Sequence, residues 1–384
     1  MNKSFTTRTL VIATLVTLIA SVSACGGEKS SLQNKVMCEG KIATIFSLTG
    51  PSSSIGIDVT NGAKLAVEQF KTQNPTCTVE LAENDSPQVI PGNAKEIAQN
   101  VASDEKVIGV IGASSKDAPV VNGILSDAGI TIISPTAFNP ELSEQGHTTF
   151  HRTLPDGRTQ GKFSARYINS ILKLKKVFVV DDEKVVFTKP VISTLKENIS
   201  PSGTALFQTG QTDFSSIIAQ IIDSGADGVF MGGYHTEAGL LISQLRAAGS
   251  TIPYLCNSAV SDPRYFGVAG AASEGTVVFL PLTPVSEIKG AFSNDYRTRF
   301  NAESSPAAVQ GFDAANILLA GIKAGKNTRS SMEEFVDAYD GESLGGKIAF
   351  APNGEINSEL VSAWVLKAQG GKFVPDQRMF AGSS

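Results

Sequence analysis

The sequence predicts an α/β protein of two doubly wound lobes joined by a hinge, with a cleft between them. Short apolar runs without polar alternation recur between segments of helical spacing, and that alternation is built twice, before and after Arg152 to Asp156. Each run also stops at small, hydroxyl or acidic residues, at the carboxyl edge where open α/β sheets bind ligands. Two such lobes present their strand-end loops to a shared cleft.

The stretch from Val107 to Pro135 shows the unit most clearly. Val107, Ile108, Val110 and Ile111 read as a strand buried on both faces, and Gly112-Ala113-Ser114-Ser115 is the turn after it. Pro119 lies early in the helix that follows, where its missing N–H costs little. Val120, Val121, Ile124, Leu125 and Ala128 give that helix one apolar face, Gly129 ends it, and Ile130 to Ile133 begin the next strand. Two readings of Ser114 and Ser115 stand: they cap the helix, or they hold a carboxylate or phosphate at its N-terminus.

The other elements follow in order. Lys41 to Leu48 is the first strand; Val59, Ala63, Ala66 and Phe70 mark a helix, and the second strand ends at Glu83-Asn84-Asp85. Ala94, Ile97 and Val101 mark the helix that leads into Val107. The second series has helices at Phe163 to Ile171, Val191 to Ile199, Phe214 to Asp223 and Thr236 to Ala248. Its strands are Val177 to Val180, Thr204 to Phe207, Gly228 to Met231, Thr251 to Cys256 and Val277 to Leu280. Pro281 and Pro284 suit a second crossing, and helices from Glu287, Ala307 and Ser331 follow. After Gly345-Gly346 the pattern turns to hairpins. The lobes are thus expected at 38–153 plus 284–344 and at 154–283 plus 345–384.

Composition is that of a globular protein: 384 residues, 41% hydrophobic, 18% charged, net charge −5. No basic block stands out to neutralise phosphates, which argues against nucleic acid as a partner. Residues 1–24 read as a signal peptide, with Lys3 and Arg8 ahead of an apolar run from Leu10 to Ala20. Val22-Ser23-Ala24-Cys25 resembles the lipobox of bacterial lipoproteins, so Cys25 is the expected lipidation site, and 25–37 is a flexible tether. Export makes disulfides persistent. First and second strands of an α/β sheet usually lie side by side and parallel, so Cys38 and Cys77 are expected to pair, leaving Cys256 free. No metal site is expected: no two cysteines are two apart, and the close histidines His147 and His151 have no cysteine near them.

With the residues so placed, the chain resembles the substrate-binding lipoproteins of ABC importers for branched-chain amino acids. The likeness is carried by Ser47-Leu48-Thr49-Gly50-Pro51, Ile133-Ser134-Pro135-Thr136-Ala137, Pro140-Glu141-Leu142, and Phe150-His151-Arg152-Thr153 with Gln160-Gly161. Later segments extend it: Gly232 to Gly239, Gln244 to Gly249 and Gly311 to Ala314. The resemblance implies two Rossmann-like lobes of the type 1 periplasmic binding protein fold. It also implies an extracytoplasmic, lipid-anchored monomer that closes on a small amino acid or carboxylate and delivers it, unaltered and without a cofactor, to a permease.

For the site it implies a carboxylate clamp at Ser114 or Ser115 and at Thr136, Ala137 and Phe138. An ammonium would meet Tyr234 and an acid one strand later. That last position is Ser258, so either another carboxylate substitutes or the ligand is not an amino acid. Asp262 is one substitute, or else the cap of the Pro263 turn. Phe138 and Val186-Phe187 replace smaller or more polar residues usual in the family and make the pocket more apolar. Arg158 is either a bidentate partner for a ligand carboxylate or a solvated hinge charge. Glu333-Glu334 reads as solvated surface or as a docking face for a permease.

Two other classes compete. A nicotinamide enzyme needs a Gly-rich turn after the first strand, where only Gly50 stands, and a serine hydrolase needs a Gly-x-Ser-x-Gly elbow, which is missing. A ligand-sensing ectodomain for an aromatic or aliphatic carboxylate, amide or urea shares the fold and differs only in its partner.

Overall fold

The computed structural model describes residues 38–50, 53–87 and 92–380. The expected signal peptide, Cys25 and the tether lie outside the described residues. The first series runs β1 (Glu39–Phe46), α1 (Ser53–Gln73), β2 (Thr78–Asp85), α2 (Asn93–Ser103), β3 (Val107–Gly112), α3 (Ala118–Asp127), β4 (Thr131–Ser134) and β5 (Phe150–Arg152). The second opens with α4 (Gly157–Arg166), β6 (Val177–Asp182), α5 (Thr188–Asn198), β7 (Pro201–Phe207) and α6 (Ser215–Asp223). It continues with β8 (Gly228–Gly232), α7 (His235–Ala247), β9 (Tyr254–Cys256), α8 (Tyr265–Ala269) and β10 (Val277–Leu280). The chain then adds α9 (Phe292–Phe300), α10 (Pro306–Lys323), α11 (Arg329–Asp337), the hairpin β11 (Asp340–Ser343) and β12 (Gly346–Ala349), and finally β13 (Ser362–Gln369) and β14 (Lys372–Phe380).

The first sheet has the order β2-β1-β3-β4-β5, all parallel. The second repeats that order as β7-β6-β8-β9-β10 and adds β13 and β14 antiparallel at its far edge. The central strands are covered on both faces, which is why β3, β6 and β8 read as apolar runs. In β1, Ile42 and Phe46 face the α1 and α10 side while Ala43 and Ile45 face α2 and α3. Val177 and Val179 against Phe178 and Val180 repeat the division in β6. Each sheet is the doubly wound type, and its carboxyl edge faces the space between the lobes.

Cys38 and Cys77 form a disulfide, as expected from the parallel pairing of β1 with β2, and Cys256 is free and buried. The bond closes a loop of sequence separation 39 at the edge strand β2. Replacing both cysteines by serine is expected to cost roughly 2–4 kcal/mol in urea unfolding, because the denatured chain regains that loop's freedom. A loss below about 0.5 kcal/mol would contradict this.

The chain crosses between the lobes at Thr153–Asp156, at Pro281–Pro284 and once more before β13. Ile348, Ile356 and Val361 pack in the first lobe's core, so the chain returns to the second lobe at Val361–Ser362 and not at Gly345. The hairpin β11–β12 has polar, exposed strands that resemble neither lobe's sheet, so no apolar run marks where this return falls. Gly354 lets this segment press onto β5: it has φ +78°, and a Cβ there would lie 1.7 Å from the Phe150 carbonyl oxygen.

Buried Asp313 on α10 holds the turn of the β11–β12 hairpin by accepting hydrogen bonds from the backbone N–H of Leu344 (2.8 Å) and Gly345 (3.0 Å). Burial pushes its carboxyl up to about 6 from an ordinary 3.8. The folded value lies above the unfolded one, so the stabilisation from its proton is complete below about pH 3.8 and is lost as pH rises through about 6. Asp313→Asn, which cannot ionise, is expected to lose part of the fall in melting temperature that the parent shows across that window. Equal pH slopes in parent and variant would sink the assignment.

Candidate functional site

A cavity of about 350 Å³ lies between the lobes. The first lobe contributes the ends of β1, β3 and β4 (Phe46, Ser47, Ser114, Ser115, Lys116, Pro135, Thr136 and Phe138), together with Asp58 on α1 and Ser305 to Ala307 at the start of α10. The second contributes Lys184 to Phe187 after β6, Tyr234 after β8, and Ser258, Ala259, Ser261 and Asp262 after β9. Thus strand-end loops from both lobes meet on one space.

Two loops of the first lobe are tied to each other. Phe138 N–H donates to Ser115 Oγ at 2.9 Å, which leaves the serine proton to donate elsewhere. Ser114 donates to Asp117 at 3.3 Å, and Ser86 donates to the same carboxylate at 3.4 Å. The N–H groups of Asp117 and Ala118 turn back to the Ser114 carbonyl at 3.0 and 2.9 Å. The tip of α3 therefore keeps its own acid: Ser114 orients Asp117, and Ser115 orders the Phe138 loop while lining the cavity. Burial raises the Asp117 carboxyl above its ordinary range.

Thr136 is the exception among these hydroxyls. Its Oγ1 is buried and has no hydrogen-bond partner among the described residues, and the residue lines the cavity. Ala137, expected beside it, does not line the cavity: its methyl is in the core against β3 and β4, and its carbonyl accepts from Arg152 Nη1 at 3.1 Å. A residue adjacent to Thr136 along an extended loop points the opposite way.

The remaining wall is aromatic. Phe138 of the first lobe meets Phe187 of the second at 5.9 Å between centroids, and Phe187 meets Tyr234 at 5.5 Å. Tyr234 sits at the N-cap of α7. Ser258, where an acid was expected by resemblance, donates to Gln160 Oε1 at 3.4 Å, and Gln160 Nε2 donates to the Phe279 carbonyl at 2.6 Å.

Arg158 is not part of the cavity. Its Nε donates to Asp156 Oδ2 at 2.8 Å and its Nη1 to Glu144 at 3.1 Å, so it joins the first crossing to the first lobe as a half-exposed hinge charge. Both partners precede it in the sequence, yet neither spacing signals a pair.

The acids of the cavity are Asp58 and Asp262. Asp262 accepts from the Arg264 backbone N–H and Nε, each at 2.8 Å, which is the turn-capping role foreseen for it. Burial would raise its carboxyl, and the hydrogen bonds from Arg264 outweigh that and hold it below the ordinary range. Asp58 has no ion-pair partner among the described residues; Tyr296 donates to it at 3.3 Å, and burial raises it. Sequence reasoning missed Asp58, because an acid early in an amphipathic helix reads as solvated surface.

This geometry defines a solute-binding protein of two hinged lobes. The chain belongs to the periplasmic binding protein family, whose model matches residues 39–374. It has the type 1 fold of that family, and its place is extracytoplasmic. Among the described residues no helix is long and apolar enough to cross a membrane.

Similar proteins include the Leu/Ile/Val-binding protein homolog 3 of Brucella melitensis biotype 1, 27% identical over 87% of this chain and 92% of that one. Another is the leucine-, isoleucine-, valine-, threonine-, and alanine-binding protein of Pseudomonas aeruginosa, 28% identical over 83% and 87%. Among solved structures, the branched-chain amino acid transporter substrate binding protein LivJ of Streptococcus pneumoniae, in complex with isoleucine, aligns with a TM-score of 0.79 at 21% identity, over 88% of this chain and all of that one. A solute binding protein from R. palustris in complex with benzoate aligns with a TM-score of 0.77 at 21% identity, over 87% and 94%. These two likenesses bear on the fold.

Proposed function

We propose that the protein captures a small amino acid or carboxylate between its lobes and delivers it to the permease of an ABC importer, as a monomer held to the cell membrane by lipid on Cys25. The observation that carries the ligand class is the buried Thr136 Oγ1, without a partner among the described residues, on a residue that lines the cavity. A hydroxyl kept dry without a partner is costly unless a ligand supplies one. Thr136 and Ser115 would receive the carboxylate, and Lys116 and Lys184 add positive potential at the same cavity. Asp58 takes over the ammonium role that Ser258 cannot perform, and Tyr234 supplies the hydroxyl beside it.

The curated relatives named for leucine, isoleucine and valine favour an aliphatic amino acid. A second reading, an aromatic carboxylate, is favoured by the Phe138, Phe187 and Tyr234 rings and by the serine at position 258. Native mass spectrometry of what co-purifies, followed by calorimetry with leucine, isoleucine, valine and benzoate, separates them. Binding of an amino acid that weakens in Asp58→Asn supports the first; benzoate binding indifferent to Asp58→Asn supports the second; binding of neither overturns both. Acylation is tested by fatty-acid labelling of the parent and Cys25→Ser, the variant being expected to stay unlabelled.

A further inference from the structure

Away from the cleft, the fold directs two carboxylates at one buried imidazole. His151 lies in β5 with its side chain 1% exposed, and its ring is held edge-on to Phe350 at 4.8 Å between centroids. Glu333 and Asp337 stand four residues apart on α11, so they share a helix face. His151 Nε2 is 3.0 Å from Asp337 Oδ1 and 3.8 Å from Glu333 Oε1, and the three atoms lie within 4.8 Å of one another.

Three features distinguish this from a surface acid cluster. His151 Nδ1 is buried beside the Ile132 and Thr149 carbonyls and makes no well-formed hydrogen bond, while Nε2 faces the two carboxylates. Nε2 is at hydrogen-bonding distance from Asp337 Oδ1; with the proton on Nδ1 instead it presents a lone pair beside the carboxylate oxygens, and the three groups can share a cation. Glu333 Oε1 is itself buried and unpartnered, while its other oxygen, Oε2, accepts from Thr131 Oγ1 at 2.6 Å. No lysine or arginine pairs with either carboxylate among the described residues.

We propose that His151, Glu333 and Asp337 bind one divalent transition-metal ion of the zinc type. One nitrogen and two carboxylate oxygens are a donor set zinc accepts, with bonds of roughly 2.0–2.2 Å and therefore donors roughly 3.3 Å apart in a tetrahedron. The separations from Nε2, 3.0 and 3.8 Å, bracket that value. The Thr131 hydroxyl on Glu333 Oε2 and the carbonyls beside Nδ1 serve as the outer hydrogen bonds that orient metal ligands. Asp337, 61% exposed, provides the entry path and leaves the fourth position to water. The ion would fasten α11 to β5, the strand that runs directly into the first crossing between the lobes.

The test uses the mature chain, stripped with a chelator and titrated with Zn²⁺ alone by calorimetry, alongside Asp337→Asn and Glu333→Gln. Asp337→Asn changes an exposed side chain, so it preserves the fold. One equivalent of Zn²⁺ is expected to bind saturably and raise the melting temperature, with affinity falling by at least about tenfold in each variant. Lack of saturable binding below about 100 μM, or a variant that binds like the parent, overturns the proposal.

Discussion

Replacing Glu355 by alanine is expected to destabilise the protein by about 3–5 kcal/mol, since it leaves a fully buried guanidinium without its counter-charge. Arg152 is 0% exposed. Its Nε donates to Glu355 Oε2 at 2.7 Å, its Nη2 donates to Glu355 Oε1, and its Nη1 donates to the carbonyls of Ala137 and Asn139 at 3.1 and 2.7 Å. Those carbonyls flank Phe138, so the same guanidinium fixes the loop that carries Thr136 and Phe138 into the cavity. Stability and ligand affinity should therefore fall together in Glu355→Ala. Removing both charges with apolar residues of similar size, Arg152→Met with Glu355→Leu, should cost less than the single change. Urea unfolding of the three proteins checks this; a single variant within about 1 kcal/mol of the parent would refute it.

Thr136→Val is expected to act in opposite directions on stability and binding. The variant removes a buried hydroxyl without a partner among the described residues, so the ligand-free protein should be as stable as the parent or more so. A hydrogen bond to a charged ligand group contributes about 1.5–3 kcal/mol, so affinity for the co-purifying ligand should drop roughly 10–100-fold. Calorimetry and thermal unfolding of one preparation read both signs. Unchanged affinity would remove Thr136 from the site.

The lobes were legible because buried parallel strands carry no polar alternation and helices keep their spacing, which Val107 to Pro135 displays without ambiguity. The disulfide followed from the pairing of neighbouring strands. Thr136, Phe138, Tyr234 and Ser258 were placed at the cavity by family likeness, and the structure brings all four to it. Ala137 and Arg158 were not brought there, for reasons that lie in tertiary structure. A backbone carbonyl taken by a distant arginine turned Ala137 to the core, and two acids folded against the first crossing captured Arg158. Glu355 and Asp58 gave no sequence signal, because each is an ordinary surface acid until a remote segment packs over it. The His151 cluster was hidden in the same way, its carboxylates arriving from 182 and 186 residues downstream.

The rings at Phe138 and Phe187 belong to different lobes, so parting the lobes has to break their contact. An aromatic pair is worth about 0.5–1.5 kcal/mol, enough to favour the shut form by roughly two- to tenfold over a protein lacking it. Dwell time in the shut form is then partly a property of the empty receptor, so a permease that senses closure needs a further cue to tell a loaded receptor from one that has merely shut.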